Sequence, residues 1–305
     1  MRHIALKSIP KGMKYAQFLR TEVPSRVKEN ILFMENLPFI VGCNPYIKNV
    51  HQTYVDSFNS LNKFDKIEEC NMKEFSGMLD QLLKNHSNTL VSLSQGMREC
   101  TPYMKEDQIQ VFINKFIEWR IRIRLLVEHH TKNGVLDDVQ IEDVANFTIQ
   151  QLHEPFMMQY GKYPEIRIEG NANLPYVASH VEYMLTELIK NAVVATLQNN
   201  EDLRPIQIHI SKADDVIIRI RDLGKGIHPN NLKNIYKYSF STVDHDHVHH
   251  MVAQQSGGIL AGLGYGLGMT RVYASFFNGN LDVVSLYKHG ADVFLRLKPV
   301  TELVL

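Results

Sequence analysis

Residues 181–195 read VEYMLTELIKNAVVA. Apolar residues recur there at steps of three and four, the period of an α-helix with one buried stripe. Glu187, Lys190, Asn191 and Val194 are spaced i, i+3, i+4 and i+7, so they share a second, mostly polar face. Polar side chains on a helix are most often solvated. The residues around this helix therefore decide whether its polar face is a site.

The segments that follow this helix alternate apolar and polar residues with a period of two, which is typical of half-buried strands. Strands are predicted at 206–210, 216–220, 281–286 and 293–297. The first two should form a hairpin closed at Ala213-Asp214, and a further helix should begin near Gly266. Strands with helices on one face predict an α/β sandwich of two layers.

The first half of the chain has the helical period instead. Apolar residues at steps of three, four and seven predict a long helix over 72–97 and another over 109–130. Short links between such helices favour an antiparallel bundle. Since residues 132–142 are polar and rich in turn formers, the sequence predicts an α+β protein with a helical bundle at 1–135 and the sandwich at 136–305.

Composition excludes several classes of protein. The 305 residues carry 33 basic and 33 acidic side chains, and this zero net charge argues against a nucleic-acid coat. No apolar run approaches the roughly 18 residues of a membrane span. Cys43, Cys70 and Cys100 are too few and too scattered for a disulfide framework or a CxxC metal pair. A folded protein of a reducing compartment is expected.

Asp222 has the same parity as Val216, Ile218 and Ile220, so its carboxylate should point to the apolar side of the strand. A carboxylate in that position needs a partner. Gly224 and Gly226 follow it, and a second run of glycines, GLGYGLG at 262–268, leads into the apolar helix near Gly266. Backbone N–H groups left free by such glycines can hold an anion at a helix N-terminus. Neither a GxxxxGK[ST] loop nor the HRD and DFG motifs of common protein kinases are found.

Taken in order, the ExxKN helix, the DxGxG strand end, Ser241-Thr242 and the GxGxG helix start resemble the ATP site of the GHKL family, which includes gyrase, Hsp90, histidine kinases and MutL. This resemblance implies the Bergerat ATP-binding fold. It also implies that Asn191 holds Mg²⁺, that Asp222 accepts the adenine amino group, and that the base lies against Gly224 and Gly226. Ser241 and Thr242 would open the ATP lid. The residues that would line the triphosphate are Gly262, Leu263, Gly264, Tyr265, Gly266 and Leu267.

The helical half resembles one branch of that family, the mitochondrial 2-oxo-acid dehydrogenase kinases. The resemblance rests on FLRTEVPSR at 18–26, SQGMRE at 94–99 and RIRIRLLVEHH at 120–130, and it covers nearly the whole chain. It implies a serine kinase of the mitochondrial matrix that phosphorylates and shuts off an E1α subunit while its helical, regulatory domain docks on an E2 lipoyl domain. Glu187 would be the general base, and Lys190 would neutralise phosphate charge. A homodimer and a monomer are both compatible with the sequence.

Four departures from the family pattern bear on the substrate. Tyr183 stands where pyruvate dehydrogenase kinases have a histidine and branched-chain kinases a tyrosine, while Val194 and Ala291 replace an arginine and a threonine near the nucleotide. The chain also lacks an Asp-Trp tail after its last strand. The segment 277–286 nevertheless resembles fungal members that act on pyruvate dehydrogenase. The sequence therefore favours pyruvate dehydrogenase as the substrate, with the branched-chain dehydrogenase as the alternative.

Two other classes of protein share parts of this pattern. A two-component histidine kinase has the same ATP site but joins it to a short two-helix unit, and a non-catalytic regulator could bind nucleotide without transferring phosphate. The run DHDHVHH at 244–250 has the ligand types for zinc. Because this run falls where the ATP lid should be, we expect adventitious metal binding there at most.

Overall fold

The computed structural model describes residues 12–132, 134–199, 203–238 and 264–304. The chain divides into two compact units, one reaching to Val135 and including the residues from Glu302 onward, the other running from Leu136 to Thr301. Within the described ranges, no helix is long and apolar enough to cross a membrane.

The first unit is made of helices. Their bounds are α1 Met13–Glu35, α2 Phe39–Gly42, α3 Pro45–Leu61, α4 Met72–Asn85, α5 Thr89–Glu99 and α6 Glu106–Thr131. α1 packs on α3 and α6, and α3 packs on α5. Their apolar stripes meet in a core with Leu19, Tyr54, Phe75, Phe116 and Ile117, each no more than 1% exposed. The structure confirms the helical first half and the helix predicted over 109–130.

The prediction of one continuous helix over 72–97 is wrong, because the chain breaks at His86. There the His86 carbonyl accepts hydrogen bonds from Arg120 Nη1 at 2.8 Å and from Thr89 Oγ1 at 2.7 Å. The His86 ring lies 2.9 Å from Ser57 Oγ. Arg120 is a tertiary partner from α6, and Thr89 is the first residue of α5. Both use the carbonyl that would have continued the helix, and apolar periodicity alone carries no signal of either bond.

The second unit is an α/β sandwich, as predicted. Its elements are β1 Asp137–Gln140, α7 Ile141–Tyr160, β2 Ile166–Glu169, β3 Asn173–Tyr176, α8 Ala178–Leu197, β4 Ile206–Lys212, β5 Val216–Asp222, α9 Pro229–Leu232, α10 Gly266–Phe276, β6 Asn280–Leu286 and β7 Gly290–Leu297. The main sheet has the order β2-β4-β5-β7-β6 and is antiparallel except for the parallel pair β2 and β4. β1 and β3 form a separate two-stranded sheet.

One face of the main sheet is covered by α8 and α10, and α7 packs on α8. The covered face of β4 and β5 carries the predicted apolar residues, all at most 5% exposed: Ile206, Ile208, Ile210, Val216, Ile218 and Ile220. Val216 pairs with Lys212 and Ile220 with Ile208, so the hairpin register keeps both apolar sets on one side. This layer of helices brings the polar face of α8 and the end of β5 into one unit.

Candidate active site

The polar face of α8 is not a solvated face. Glu187 is 2% exposed and Lys190 is 7% exposed. Lys190 Nζ donates to Glu187 Oε1 at 2.6 Å, one helical turn away. A buried carboxylate and a buried ammonium group each need a compensating partner, and this ion pair supplies one for both. The common expectation for polar residues on a helix fails here because α10 covers this part of α8.

The start of α10 lies directly against the Glu187 carboxylate. A Cβ atom at Gly266 would overlap Glu187 Oε2 and lie 3.3 Å from Cδ. The side chain of Glu187 is therefore bounded by Lys190 on its own helix and by the first residue of another helix. The sequence placed Gly266 only beside the triphosphate, and no sequence pattern indicated its contact with Glu187.

Tyr183, one turn before Glu187, belongs to the same surroundings. Its hydroxyl is buried and makes no hydrogen bond to the residues that the structure describes. Burial raises the pKa of this phenol well above its usual value, and the nearby Glu187 carboxylate adds to that effect. The ring of Tyr273 on α10 lies 4.8 Å from the Tyr183 ring. Tyr183 is therefore a neutral group at any physiological pH.

Asn191 differs from its neighbours because it is exposed, and Val194, one turn further on, is partly buried. The face thus has a buried, charged half at Glu187 and Lys190 and an open half at Asn191. The amide oxygen of Asn191 is a hard, uncharged donor of the type that Mg²⁺ accepts when phosphates and water supply its other ligands. Among the described residues, no cluster of three or more His, Cys, Asp or Glu side chains could hold a metal ion by itself.

Asp222 ends β5 on the covered face of the sheet and is 6% exposed. Burial raises the pKa of its carboxyl group from 3.8 to about 6, against the lowering effect of backbone hydrogen bonds from Gly224 and Ala291. The Gly224 N–H donates to Oδ1 at 2.9 Å. The carboxylate is thus oriented by backbone donors, and no ion pair with the described cations competes for it.

The loop after Asp222 packs against the turn between β6 and β7. The Lys288 N–H donates to the Lys225 carbonyl at 2.6 Å, and Gly226 sits against the Leu286 carbonyl. Gly290 faces the Asp222 backbone so closely that a Cβ atom would overlap the Asp222 carbonyl oxygen, and its φ is +106°. Gly290 is the first residue of β7. Gly290 belongs to this site because the next residue, Ala291, pairs with Asp222.

Part of the glycine-rich stretch is described. Gly264 has φ +75°, Tyr265 is 3% exposed, and Leu267 is partly buried. The Tyr265 ring stacks on Tyr238 at 4.8 Å. Ser241, Thr242, Gly262 and Leu263 lie outside the described residues, and so does the histidine-rich run at 244–250.

The arrangement combines two carboxylates in different environments. Glu187 is held by a cation on its own helix, and Asp222 is held by backbone N–H groups at a strand end. A carboxylate such as that of Glu187 can accept a proton from a hydroxyl group within hydrogen-bond reach. A carboxylate fixed by amides can accept hydrogen bonds from a ligand. Together these groups suit a site that binds a nitrogen base and transfers a group between oxygen atoms.

Two family models match this chain, one within each unit. The family model for mitochondrial branched-chain alpha-ketoacid dehydrogenase kinase matches residues 4–133. The model for histidine kinase-, DNA gyrase B- and HSP90-like ATPases matches residues 176–301.

Curated relatives match both regions at once. A mitochondrial [pyruvate dehydrogenase (acetyl-transferring)] kinase of Arabidopsis thaliana is 30% identical over 92% of this chain and 84% of its own length. The kinase of the same name from Drosophila melanogaster is 28% identical over 93% of this chain and 77% of its own. The mitochondrial [pyruvate dehydrogenase (acetyl-transferring)] kinase isozyme 4 of Homo sapiens is 28% identical over 93% of this chain and 76% of its own length. The likeness therefore extends across the helical unit and the sandwich.

Proposed function

Because the chain belongs to the family of mitochondrial 2-oxo-acid dehydrogenase kinases within the GHKL ATPases, we propose that it phosphorylates and inactivates the E1α subunit of the mitochondrial pyruvate dehydrogenase complex. As a member of this family it is an ATP-dependent protein serine kinase. The substrate proposal is supported by the relatives from Arabidopsis, Drosophila and human, which are all named for pyruvate dehydrogenase.

The observation that carries the catalytic proposal is the buried pair of Glu187 and Lys190 beside the exposed Asn191. Glu187 accepts the proton of the substrate serine as its oxygen attacks the γ-phosphorus of ATP, while the bond from that phosphorus to the β,γ-bridging oxygen breaks and ADP leaves. Lys190 holds the carboxylate before the nucleotide arrives and then turns its ammonium group toward the phosphates. The two residues lie one helical turn apart on α8.

Asn191 is the residue that would hold Mg²⁺, and its exposed amide oxygen fits that ion. Mg²⁺ held there would neutralise negative charge on the phosphates during phosphoryl transfer. Val194 would lie near the nucleotide without contributing a cation. Gly264, Tyr265, Gly266 and Leu267 would contact the phosphates through their backbone, together with Gly262 and Leu263.

Asp222 is the residue that would bind adenine. An ionised carboxylate can only accept hydrogen bonds, so it suits the adenine amino group and opposes the carbonyl oxygen of guanine. Gly224 and Gly226 would let the base lie against the backbone, and Ser241 with Thr242 would open the lid over it. These roles come from the family motif matched residue by residue, and the burial of Asp222 is consistent with them.

The proposal includes a place and partners for the protein. It would act in the mitochondrial matrix, and the names of its relatives support a mitochondrial location. The two domains would be a lipoyl-docking, regulatory bundle at 1–135 and a catalytic domain at 136–305, with an E2 lipoyl domain as docking partner. The proposal is compatible with a homodimer and with a monomer.

The branched-chain 2-oxo-acid dehydrogenase complex is the alternative substrate. Tyr183 favours it, because the branched-chain kinases have tyrosine at this position. The match of residues 4–133 to a family model named for that kinase points the same way.

The test is incubation of the purified protein with radiolabelled ATP and Mg²⁺ and either the pyruvate or the branched-chain dehydrogenase complex. We expect label on the E1α serine of the pyruvate complex and a matching loss of its activity. Label confined to the branched-chain complex would establish the alternative. ATP binding without label on either complex would identify a non-catalytic regulator, and a label on histidine of the protein itself would indicate a histidine kinase.

A further inference from the structure

Both oxygens of the Glu187 carboxylate have a defined neighbour. Oε1 accepts from Lys190 Nζ at 2.6 Å. Oε2 lies against Gly266, where the chain enters α10. The two neighbours belong to different elements, α8 and α10, which pack on each other. The position of this carboxylate therefore depends on where α10 begins.

The contact at Gly266 has no room for a side chain. A Cβ atom would overlap Oε2 and approach Cδ to 3.3 Å and Cγ to 3.8 Å. The backbone of α10 cannot easily yield, because the Gly266 carbonyl accepts from Thr270 Oγ1 at 2.8 Å inside the helix and Thr270 is fully buried. The end of the Glu187 side chain is the flexible partner. An added methyl group would thus displace the carboxylate rather than the helix.

We propose that Gly266 is a positioning residue for Glu187, and that it sets the carboxylate in place for proton transfer. This inference rests on the proposed role of Glu187 as general base. The turn of chain that would line the triphosphate also bounds the base, so one backbone segment determines both where the γ-phosphate lies and where the proton goes. A misplacement of about 1 Å in such a group can reduce turnover a hundredfold.

The first test is Gly266→Ala, measured for kcat, KM and ATP affinity. We expect kcat to fall at least tenfold while the Kd for Mg·ATP, measured by calorimetry, changes less than threefold. Gly77→Ala is the matched control, because Gly77 lies exposed in α4 with no atom within 4 Å of an added Cβ. It should keep full activity. A loss of ATP affinity at unchanged kcat would overturn the inference, since Gly266 would then serve the nucleotide alone.

The second test uses a shorter acid. Glu187→Asp withdraws the carboxylate by one methylene group and should itself reduce kcat. In the Glu187→Asp background, Gly266→Ala should reduce kcat by less than a further twofold, because the added methyl group no longer meets the carboxylate. If the fold-loss of kcat in the double variant equals the product of the fold-losses in the two single variants, a direct contact between residues 187 and 266 is contradicted.

Failure of this inference is distinguishable from failure of the proposed function. If Glu187→Gln retains wild-type phosphotransfer, Glu187 is not the base and the proposed mechanism fails with the inference. If Glu187→Gln is inactive and Gly266→Ala is as active as wild type, only the inference fails. A pH profile adds a further readout: a displaced base should shift the acid limb of kcat in Gly266→Ala, whereas Gly77→Ala should leave it unchanged.

Discussion

Two residues of the site, Glu187 and Asp222, carry the same functional group, a carboxylate, but are proposed to have different roles. Both are buried carboxylates, 2% and 6% exposed. The charge of Glu187 is compensated by the ammonium group of Lys190. The carboxylate of Asp222 is stabilised by the dipoles of backbone N–H groups. Their proposed functions, proton acceptor and base recognition, follow this difference in partners.

Glu187→Gln should leave nucleotide binding intact and reduce E1α phosphorylation by about a hundredfold or more, the usual effect of losing a general base. The amide has nearly the shape of the carboxylate but does not take up a proton at neutral pH. The measurement is labelled phosphate transfer at saturating ATP, with calorimetric titration of Mg·ATP as the control. Activity close to wild type would remove Glu187 from the mechanism.

Binding of ATP should depend on pH through Asp222. Its pKa is about 6 in the folded protein, and only the ionised form is a charged acceptor for the adenine amino group. Affinity should therefore rise as the pH increases through 6, and at pH 5 it should be lower by roughly tenfold, since about one site in ten is then ionised. Asp222→Asn is the control, because ATP itself also titrates in this range. Identical pH profiles for the two proteins would refute the assignment.

At the scale of elements, the register between strands positions the site. β5 and β7 pair so that Asp222 lies opposite Ala291, and Gly290 closes on the Asp222 carbonyl. The turn from β6 into β7 also holds the loop after Asp222 through the bond from Lys288 to Lys225. The end of β5 is thus held from two sides, which fixes the direction of the carboxylate.

Gly290→Ala should destabilise the second unit and weaken ATP binding, because it combines a left-handed φ of +106° with a collision against backbone. Gly161→Ala is a matched control. Gly161 ends α7 with φ +67°, and nothing lies within 4 Å of its added Cβ. We expect a loss of about 1 kcal/mol in unfolding free energy for Gly161→Ala and about 3 kcal/mol or more for Gly290→Ala. Equal losses in denaturant unfolding would show that the close approach has no energetic effect.

At the scale of the whole molecule, one buried titratable group in each unit is expected to change the stability of that unit with pH, in opposite directions. The His86 imidazole, 2% exposed in the helical unit, has its pKa lowered to about 3, mainly by burial and further by the Arg120 charge. Its stabilising contribution is complete above the unfolded pKa near 6.5 and is lost as the pH falls toward 3. Asp222 has a raised pKa, so its ionisation destabilises the second unit as the pH rises from about 4 to 6.

Unfolding of the helical unit should therefore become easier in mild acid. Trp119, the only tryptophan, lies in α6 against Phe33 and reports on that unit alone. Between pH 7 and pH 5, His86 should remove about 2 kcal/mol from the unfolding free energy followed by tryptophan fluorescence. His86→Asn should lower stability at pH 7 but flatten this pH dependence, with His130 contributing the remainder. The same slope in both proteins would contradict the role of His86.

The amino-acid sequence alone determined much of this protein. The periods of 3.6 and 2 predicted the helical half, the strands and the inward direction of Asp222, because one buried face repeats regularly along each element. The order and spacing of ExxKN, DxGxG and GxGxG indicated the ATPase family, since the combination is far more specific than any one of these patterns alone.

Only the tertiary structure decided what lies between elements. It breaks the predicted helix at His86, buries Glu187 and Lys190 under α10, and brings Gly266 and Gly290 against the two carboxylate residues. These contacts join residues that are far apart in the sequence. His86 and Arg120 are separated by 34 positions, and Glu187 and Gly266 by 79. Local periodicity reports only which side of an element is apolar. The packing of elements on each other decides which polar groups lose water and must find partners.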